Sequence, residues 1–516
     1  MVYRRAVLLR PLSLLIVAVL LAACGPPAPP PGDTARIGLE GNPTNLDPRY
    51  ATDAYSVRIL ALVYEGLLAA APDGSVQPAL AQSYEVIDDH TYRFTLRPNL
   101  VWHDGSPITS DDVAANFRFL ADPANKCPAQ DTFKRITEIQ TPDAHTIVLR
   151  LEETFAPFLD KMSRPLVPAR LLDPDALAET PVGSGPYRLV EFRRGDRVIL
   201  EASNNYRGDR PKIPRLEFKV IANDTARLLR IQKGDVDLVQ NAVPHYAVKF
   251  VEQLPGRKVL RETGVNYSYL GFNLADKRGI VSQVKVRRAL AHALDREQII
   301  GALMFGMARP ATGLLAPSNW AYEPDVTTYP YDPERAKRLL DEAGFPDPDG
   351  DGPAMRFTLS YKTSTNKLRL RIAEVMARQL REVGVGMDRR SLEWGTFFQD
   401  IKSGNFQIYT LTWVGITDPD ILHYIFHSSM QPPHGANRGR YVNPEVDRLL
   451  EQTRLATDRA QRRRLFGLVQ RQLAQDCVYV SLWWADNIAV HSDRLRGFFI
   501  RPGGDYRSLA GADLSP

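Results

Sequence analysis

Between Thr91 and Arg97 the apolar Tyr92, Phe94 and Leu96 alternate with Arg93, Thr95 and Arg97, the two-residue period of a strand with one buried face. A capped helix follows. Thr109-Ser110-Asp111-Asp112 supplies an N-cap with an acid three residues on, after which Val113, Phe117 and Leu120 recur at helical spacing. His103-Asp104-Gly105 makes the turn between the two elements. Further on, Asp332 and Pro333 read as N-cap and first residue of a helix that buries Ala336, Leu339, Leu340 and Ala343, with Gly344 placed to end it. Asp295 to Gln298 opens another helix, and Leu368, Ile372, Met376, Leu380 and Val383 form a longer apolar stripe before the strand-like stretch Gln407 to Trp413. Strands and helices alternate through most of the chain, which predicts an α/β architecture. There is no internal repeat or heptad run.

The first residues carry a different pattern. Arg4, Arg5 and Arg10 precede an apolar run from Leu12 to Leu21, followed by Ala22, Ala23 and Cys24, the layout of a cleavable export signal. The run is shorter than the roughly 20 residues of a membrane-spanning helix. Leu21-Ala22-Ala23-Cys24-Gly25 resembles the lipobox of bacterial lipoproteins, which implies a signal peptide over 1–23 and acylation of the Cys24 thiol. Residues Gly25 to Gly32 read GPPAPPPG, a stretch that buries nothing and favours extended polyproline geometry. Residues 24–33 are therefore expected to be a tether between a lipid surface and a folded body starting near Thr34.

Removing residues 1–23 takes away three arginines and no acids, so the formal charge falls from +5 to about +2. That balance gives no reason to expect nucleic-acid binding. The remaining 493 residues, 516 less 23, exceed what one core organises and predict two or three lobes. Cys127 and Cys477 are the other thiols; an oxidising compartment would permit a disulfide between them, the alternative being two separate buried thiols.

Signals for catalysis are missing. The chain has no HExxH, no GxSxG, no phosphate-cradling glycine loop with lysine and no CxxC, so an exported hydrolase would need an unmarked site. No cofactor is expected. His423 and His427 stand at i and i+4 in an expected helix, a spacing that can aim two imidazoles at a metal chelate such as nickel, although an amphipathic face explains them as well. Asp347, Asp349 and Asp351 in DPDGDG begin like a calcium loop, but the twelfth position is Thr358 rather than an acid. A polar turn is the expected reading.

Three stretches carry a family resemblance across the body of the chain. They are Ala81-Gln82-Ser83-Tyr84, Tyr92 to Arg97, and His103-Asp104-Gly105-Ser106-Pro107-Ile108-Thr109-Ser110-Asp111-Asp112-Val113. Gly183-Ser184-Gly185-Pro186-Tyr187, Gly234-Asp235-Val236-Asp237, Phe272-Asn273 and Tyr331-Asp332-Pro333 follow in order. Together they resemble family 5 of the solute-binding proteins of ABC importers, which includes oligopeptide, dipeptide and nickel receptors. The resemblance implies an α/β two-lobed clamp of the periplasmic-binding type, class II, with an extra α+β subdomain in lobe I. Lobe I is then expected over 34–46, 183–266 and 478–516, the inserted subdomain over 47–182, and lobe II over 267–477. The Gly183 to Pro186 stretch is expected to be a tight turn in which glycine tolerates positive φ.

The same resemblance implies function and site. The chain would be an exported, lipid-anchored receptor on the outer face of the cytoplasmic membrane and not an enzyme. It would act as a monomer, capture a short peptide or another small solute by hinge closure, and hand it to ABC permease and ATPase subunits. In peptide-binding relatives a tryptophan is followed by an aspartate that pairs with the ligand's α-amino group, and the corresponding stretch is Trp413-Val414-Gly415-Ile416-Thr417-Asp418-Pro419-Asp420. It is one residue shorter than the family's and has no acid before Asp418, which could equally cap the helix that Pro419 begins. Trp394 matches a cleft position, and Tyr269 and Asn273 lie where the chain would cross between lobes. Tyr269, Asn273, Trp394, Trp413 and Asp418 are the expected ligand residues.

Overall fold

A computed structural model of the chain describes residues 32–71, 75–173, 177, 181–350 and 352–515. The expected signal peptide, Cys24 and most of the proline tether lie outside them, as does Asp351. Among the described residues no helix is long and apolar enough to cross a membrane.

Two long antiparallel strands, Arg257–Phe272 and Tyr479–Ser492, run through the centre of the main sheet. On one side lie Leu238–Gln240, Thr34–Leu39, Arg215–Val220, Arg197–Ala202 and Tyr187–Arg193; on the other lie Ile408–Trp413, Phe357–Ser364 and Val385–Leu392. The long strands thus join two half-sheets, each with its own core. Ile37, Tyr187, Leu216 and Phe218 centre one core, and Leu290, Leu359, Met376 and Val480 the other. Their pairing slips between Glu262 and Asn266. Gly264 sits in that irregularity, where a Cβ would stand 1.9 Å from the Ala485 carbonyl oxygen, so only glycine lets the strands meet there. The expected boundary at 266/267 falls at this bulge. That at 477/478 precedes the second strand, whose first half pairs with Tyr267–Gly271 of the second lobe before the strand crosses over.

The inserted subdomain is a four-stranded antiparallel sheet in the order Ala81–Asp88, Thr91–Leu96, Thr146–Leu151, Ile136–Asp143, covered by the helix Ser110–Ala121. Tyr92, Phe94, Leu96, Val113, Phe117 and Leu120 meet in its core, as their two periods required. Thr109 and Asp112 form the capping box. Residues of this core run from Leu67 to Leu166, whereas Leu46, Ile59, Leu62 and Val167 pack into the first lobe, so the ends of the expected 47–182 insertion belong structurally to the lobe that carries it.

One expectation changes on physical grounds. Gly183 and Gly185 do not have positive φ; a Cβ on Gly183 would lie 2.0 Å from the Val63 carbonyl oxygen and one on Gly185 2.5 Å from that of Leu62. Close approach of distant backbone, not turn geometry, demands glycine there. His103 holds the same turn: its Nδ1 accepts from the Gly183 N–H at 3.2 Å and its Nε2 lies 2.9 Å from the Gly185 carbonyl oxygen. Burial pushes its pKa down to about 4, consistent with a neutral ring that both donates and accepts. The two thiols are separate. Cys127 lies in the subdomain core and Cys477 in that of the second lobe, both free, and burial pushes the Cys477 thiol up to about 12. In the aspartate-rich turn Asp349 accepts from the Ala354 N–H and Asp347 pairs with Arg356, a closed polar turn.

Candidate functional site

The strand Ile408–Trp413 ends at the cleft between the second lobe and the subdomain, and the loop after it is fixed from three directions. The Gly415 N–H donates to Asn266 Oδ1 at 2.9 Å, Asn319 Nδ2 donates to the Thr417 carbonyl at 2.9 Å, and Asp418 Oδ1 accepts from the Asp420 N–H at 2.9 Å. Helix Ile421–Phe426 follows. The second Asp418 oxygen faces the subdomain, where Lys161 Nζ donates to it at 2.5 Å. Asp418 therefore caps a local turn and binds an ammonium at the same time, and the ammonium belongs to the protein.

A cavity of about 1200 Å³ opens beside this pair, lined by Trp413 to Asp418, the face of the helix carrying His423 and Tyr424, and subdomain residues including Phe155 and Lys161. A second cavity of about 450 Å³ shares Lys161, Thr417 and Asp418 and extends toward Trp320 and Arg164. Charges on the larger cavity's wall come in partnered sets. Lys134 pairs with Asp131, Arg135 with Glu153, Lys161 with Asp418, and Arg454 with Asp420. The wall is thus broadly self-neutralised and does not repel either sign of solute charge.

The buried members of this wall interact strongly. Asp420, 5% exposed, accepts from Arg454 Nε at 2.7 Å and Nη2 at 3.0 Å, with Lys161 Nζ 3.5 Å away. Burial opposes its charge, but Lys161 and Arg454 outweigh burial and hold its pKa below the ordinary range. Lys161 is likewise opposed by burial and held above the usual lysine value by Asp418 and Asp420. Asp160 has the opposite fate: burial, then the Asp418 charge, push it up to about 7. A carboxyl whose folded pKa is raised stabilises the fold below its unfolded pKa, near 4, and loses that contribution as pH rises through about 7. Asp160→Asn is accordingly expected to narrow the difference in thermal midpoint between pH 5 and pH 8, chiefly by raising the value at pH 8. An unchanged difference would show that Asp160 titrates as a solvated acid.

The expected ligand residues do not form one cluster with equal roles. Tyr269 is fully buried, stacked on Tyr479 at 4.0 Å with its hydroxyl 3.3 Å from that of Tyr409. Asn273 is spent on the backbone, its Nδ2 donating to the Gly404 and Phe406 carbonyls. Trp394 is 49% exposed at the start of the helix Trp394–Ser403 and stacks on Phe398 at 5.6 Å. Trp413 lines the large cavity, and its buried indole Nε1 has no hydrogen-bond acceptor. Three residues join them unforeseen: Lys161, Arg369 and Arg438. The Arg438 guanidinium lies 4.7 Å from the Trp413 ring centre and 5.2 Å from that of Phe398, while Arg369 lies 5.6 Å from that of Trp394. His423 and His427 stack at 4.4 Å, but His423 Nε2 meets Arg454 and His427 meets Ser429 and Glu451. Among the described residues no group of three or more His, Cys, Asp and Glu side chains could hold a metal ion.

Comparison with known proteins adds the following. Residues 75–431 match the model of the bacterial extracellular solute-binding proteins, family 5 middle. The oligopeptide-binding protein AppA of Bacillus subtilis is 28% identical over 540 residues, covering 98% of each chain. Its structure in complex with a nonapeptide superposes with a TM-score of 0.83 at 26% identity over 94% of this chain and 99% of that one. The glutathione-binding protein GsiB of Escherichia coli K12 is 27% identical over 97% of both chains. NikZ of Campylobacter jejuni, solved with Ni(L-His), gives a TM-score of 0.83 at 25% identity, covering 94% of this chain and all of the other.

Proposed function

The chain belongs to the bacterial extracellular solute-binding proteins of family 5, and from that premise we propose that it is the capture subunit of an ABC importer whose solute is a short peptide. The observation that carries this reading is the cavity at the lobe–subdomain cleft. At about 1200 Å³ it exceeds the roughly 300–1,000 Å³ of typical small-molecule sites, and its partnered charges tolerate the varied side chains of peptides. Micromolar capture needs about 8 kcal/mol, within reach of a few buried hydrogen bonds and one desolvated charge contact. The likeness to a receptor solved with a nonapeptide points the same way. In this reading Cys24 bears the lipid, the proline tether spaces the clamp from the membrane, the lobes close by bending at the bulge near Gly264, and the permease receives the solute.

A second reading is favoured by a specific feature: among the described residues Arg369 and Arg438 have no carboxylate partner and lie against aromatic rings, which suits an anionic solute, peptide or not. Native mass spectrometry separates the two. The chain lacking residues 1–24, which lie outside the described residues, is purified from its host and sprayed without denaturation. Peptides leaving the protein on activation are the expected result, whereas a sugar, a metal chelate or another non-peptide acid would overturn the peptide reading.

A further inference from the structure

The subdomain and the second lobe meet along a seam of contacts that cross the cleft. The Ala156 N–H of the subdomain donates to the Arg454 carbonyl at 2.7 Å, and the guanidinium of the same arginine lies 5.5 Å from the Phe155 ring centre. Further along, Lys161 Nζ reaches Asp418 at 2.5 Å and Asp420 at 3.5 Å. The subdomain is built on the first lobe, through Leu46 and Val167, so a swing of the second lobe breaks all of these contacts together.

Three carboxyls converge on the seam, and its cations are unevenly shared. Lys161 serves Asp418 and Asp420, and Arg454 serves Asp420 again, which leaves Asp160 with no cation within ion-pairing distance among the described residues. Arg462 also faces Asp160, but it is turned aside, 5.5 Å from the Trp320 ring centre with its Nε donating to the Thr453 carbonyl at 3.2 Å. Asp160 borders the smaller cavity, which gives solvent protons a way in. Burial and then the Asp418 charge favour its protonated form, and Arg462 and Lys161 pull the other way without prevailing. Its charged neighbours keep one state meanwhile. Against burial, Asp418 and Asp420 hold Lys161 protonated and Lys161 and Arg454 hold Asp420 ionised, while burial and then Arg454 push the His423 pKa down to about 3 and leave that ring neutral.

We infer that closing the second lobe onto the subdomain takes up a proton at Asp160, so that the clamp is held shut in acidic surroundings and loosened as they become neutral. The inference rests on the clamp motion of the capture reading and adds a control to it. The sign follows from linkage. In the open clamp Asp160 meets water and has an ordinary pKa near 4; in the closed clamp its pKa stands at about 7. The closed form therefore keeps a proton that the open form gives up, a gain fully present below about 4 and lost as pH rises through about 7. Because solute is held by the closed form, capture is tighter in acid and release follows neutralisation.

Hydrogen exchange at the Ala156 amide tests this without any solute, because that N–H is bonded across the seam. The solute-free chain lacking residues 1–24 is exchanged at pH 5 and pH 8, and protection is taken relative to the intrinsic rate at each pH. Protection is expected to be at least tenfold higher at pH 5, the effect of one unit of pKa difference between the two forms. Asp160→Asn, neutral at every pH and of nearly the same shape, should hold protection at pH 8 at the parent's pH 5 level. The Leu96 amide, bonded to the His145 carbonyl at 2.7 Å inside the subdomain, is the reference; an equal change there would mean unfolding rather than opening and would overturn the inference. A flat parent profile, protection that rises with pH, or a dependence that survives in Asp160→Asn overturns it too. Should that variant not fold, Asp160→Ser, equally unable to ionise, takes its place. The capture reading stands in all of these cases, since the native mass spectrum decides it separately.

Discussion

Arg454→Met is expected to cost about 3–5 kcal/mol of stability, the range for removing one partner of a buried ion pair. The side chain does several things at once. It satisfies both oxygens of Asp420 and approaches His423 Nε2 at 3.2 Å, and it covers the Phe155 ring of the subdomain at 5.5 Å. Its carbonyl also accepts from the Ala156 N–H at 2.7 Å, a bond that survives the substitution. Without the guanidinium, Asp420 keeps only Lys161 at 3.5 Å, and a carboxylate 5% exposed is left undercompensated. The sign of the pH dependence follows. In the parent chain the Asp420 pKa is depressed, so its contribution is present above the unfolded value near 4 and is lost as pH falls below it. In the variant burial dominates and the carboxyl pKa rises, so the deficit should be larger at pH 8 than at pH 5. Urea unfolding at the two pH values measures both quantities; a deficit below about 1 kcal/mol at either would mean that the pair behaves as a solvated surface bridge.

Elements whose causes are local could be read from the chain. The helix Pro333–Glu342 begins where Asp332 accepts from the Arg335 N–H, and Asp295 likewise caps the helix Arg296–Met304. Cap, helix and stop lie within a dozen residues, so propensity and hydrogen bonding agree without help from the tertiary fold. The two long central strands are different. Where they cross between lobes depends on which neighbours they pair with, and Tyr479–Trp484 joins the second lobe only because Tyr267–Gly271 lies opposite. The need for glycine at 183 and 185 is illegible for the same reason, since the chain that crowds them, at Leu62 and Val63, is remote in sequence.

The site was half legible for the same reason. Trp413 and Asp418 stand in a recognisable local stretch and do border the cleft cavity. Lys161 is one lysine among many until the fold brings it to Asp418, and Arg369 and Arg438 carry no pattern that separates them from surface arginines. What singles them out is the want of a carboxylate partner among the described residues, a property of packing. The nearest local hint is the sequence Asn437-Arg438-Gly439, a cation beside a glycine, which alone decides nothing. Asn273 shows the reverse case. A polar residue at a lobe crossing is an attractive ligand contact, yet its amide is consumed by two carbonyls.

Lys161→Met is expected to change what the cleft selects. In the parent chain the lysine ammonium lies 2.5 Å from Asp418 Oδ2 and 3.5 Å from Asp420 Oδ2, while Asp420 retains its two bonds to Arg454. Methionine keeps most of the apolar stem and removes the charge. Asp420 then remains paired, but Asp418, whose side chain is 31% exposed, faces the cavity as a carboxylate with no cation. A solute bringing its own ammonium would restore that interaction, a charge-assisted contact of about 1.5–3 kcal/mol or more than tenfold in affinity. The variant should therefore discriminate between free and N-acetylated forms of one tetrapeptide pool by at least tenfold, where the parent does not. Calorimetric titration of both chains with both pools reads this directly. If acetylation is tolerated equally by parent and variant, Asp418 does not meet the solute's N-terminal end. If the parent already rejects the acetylated pool, Lys161 gives way to a ligand amine on binding, and the pair then acts as a displaceable latch rather than a fixed neutralisation.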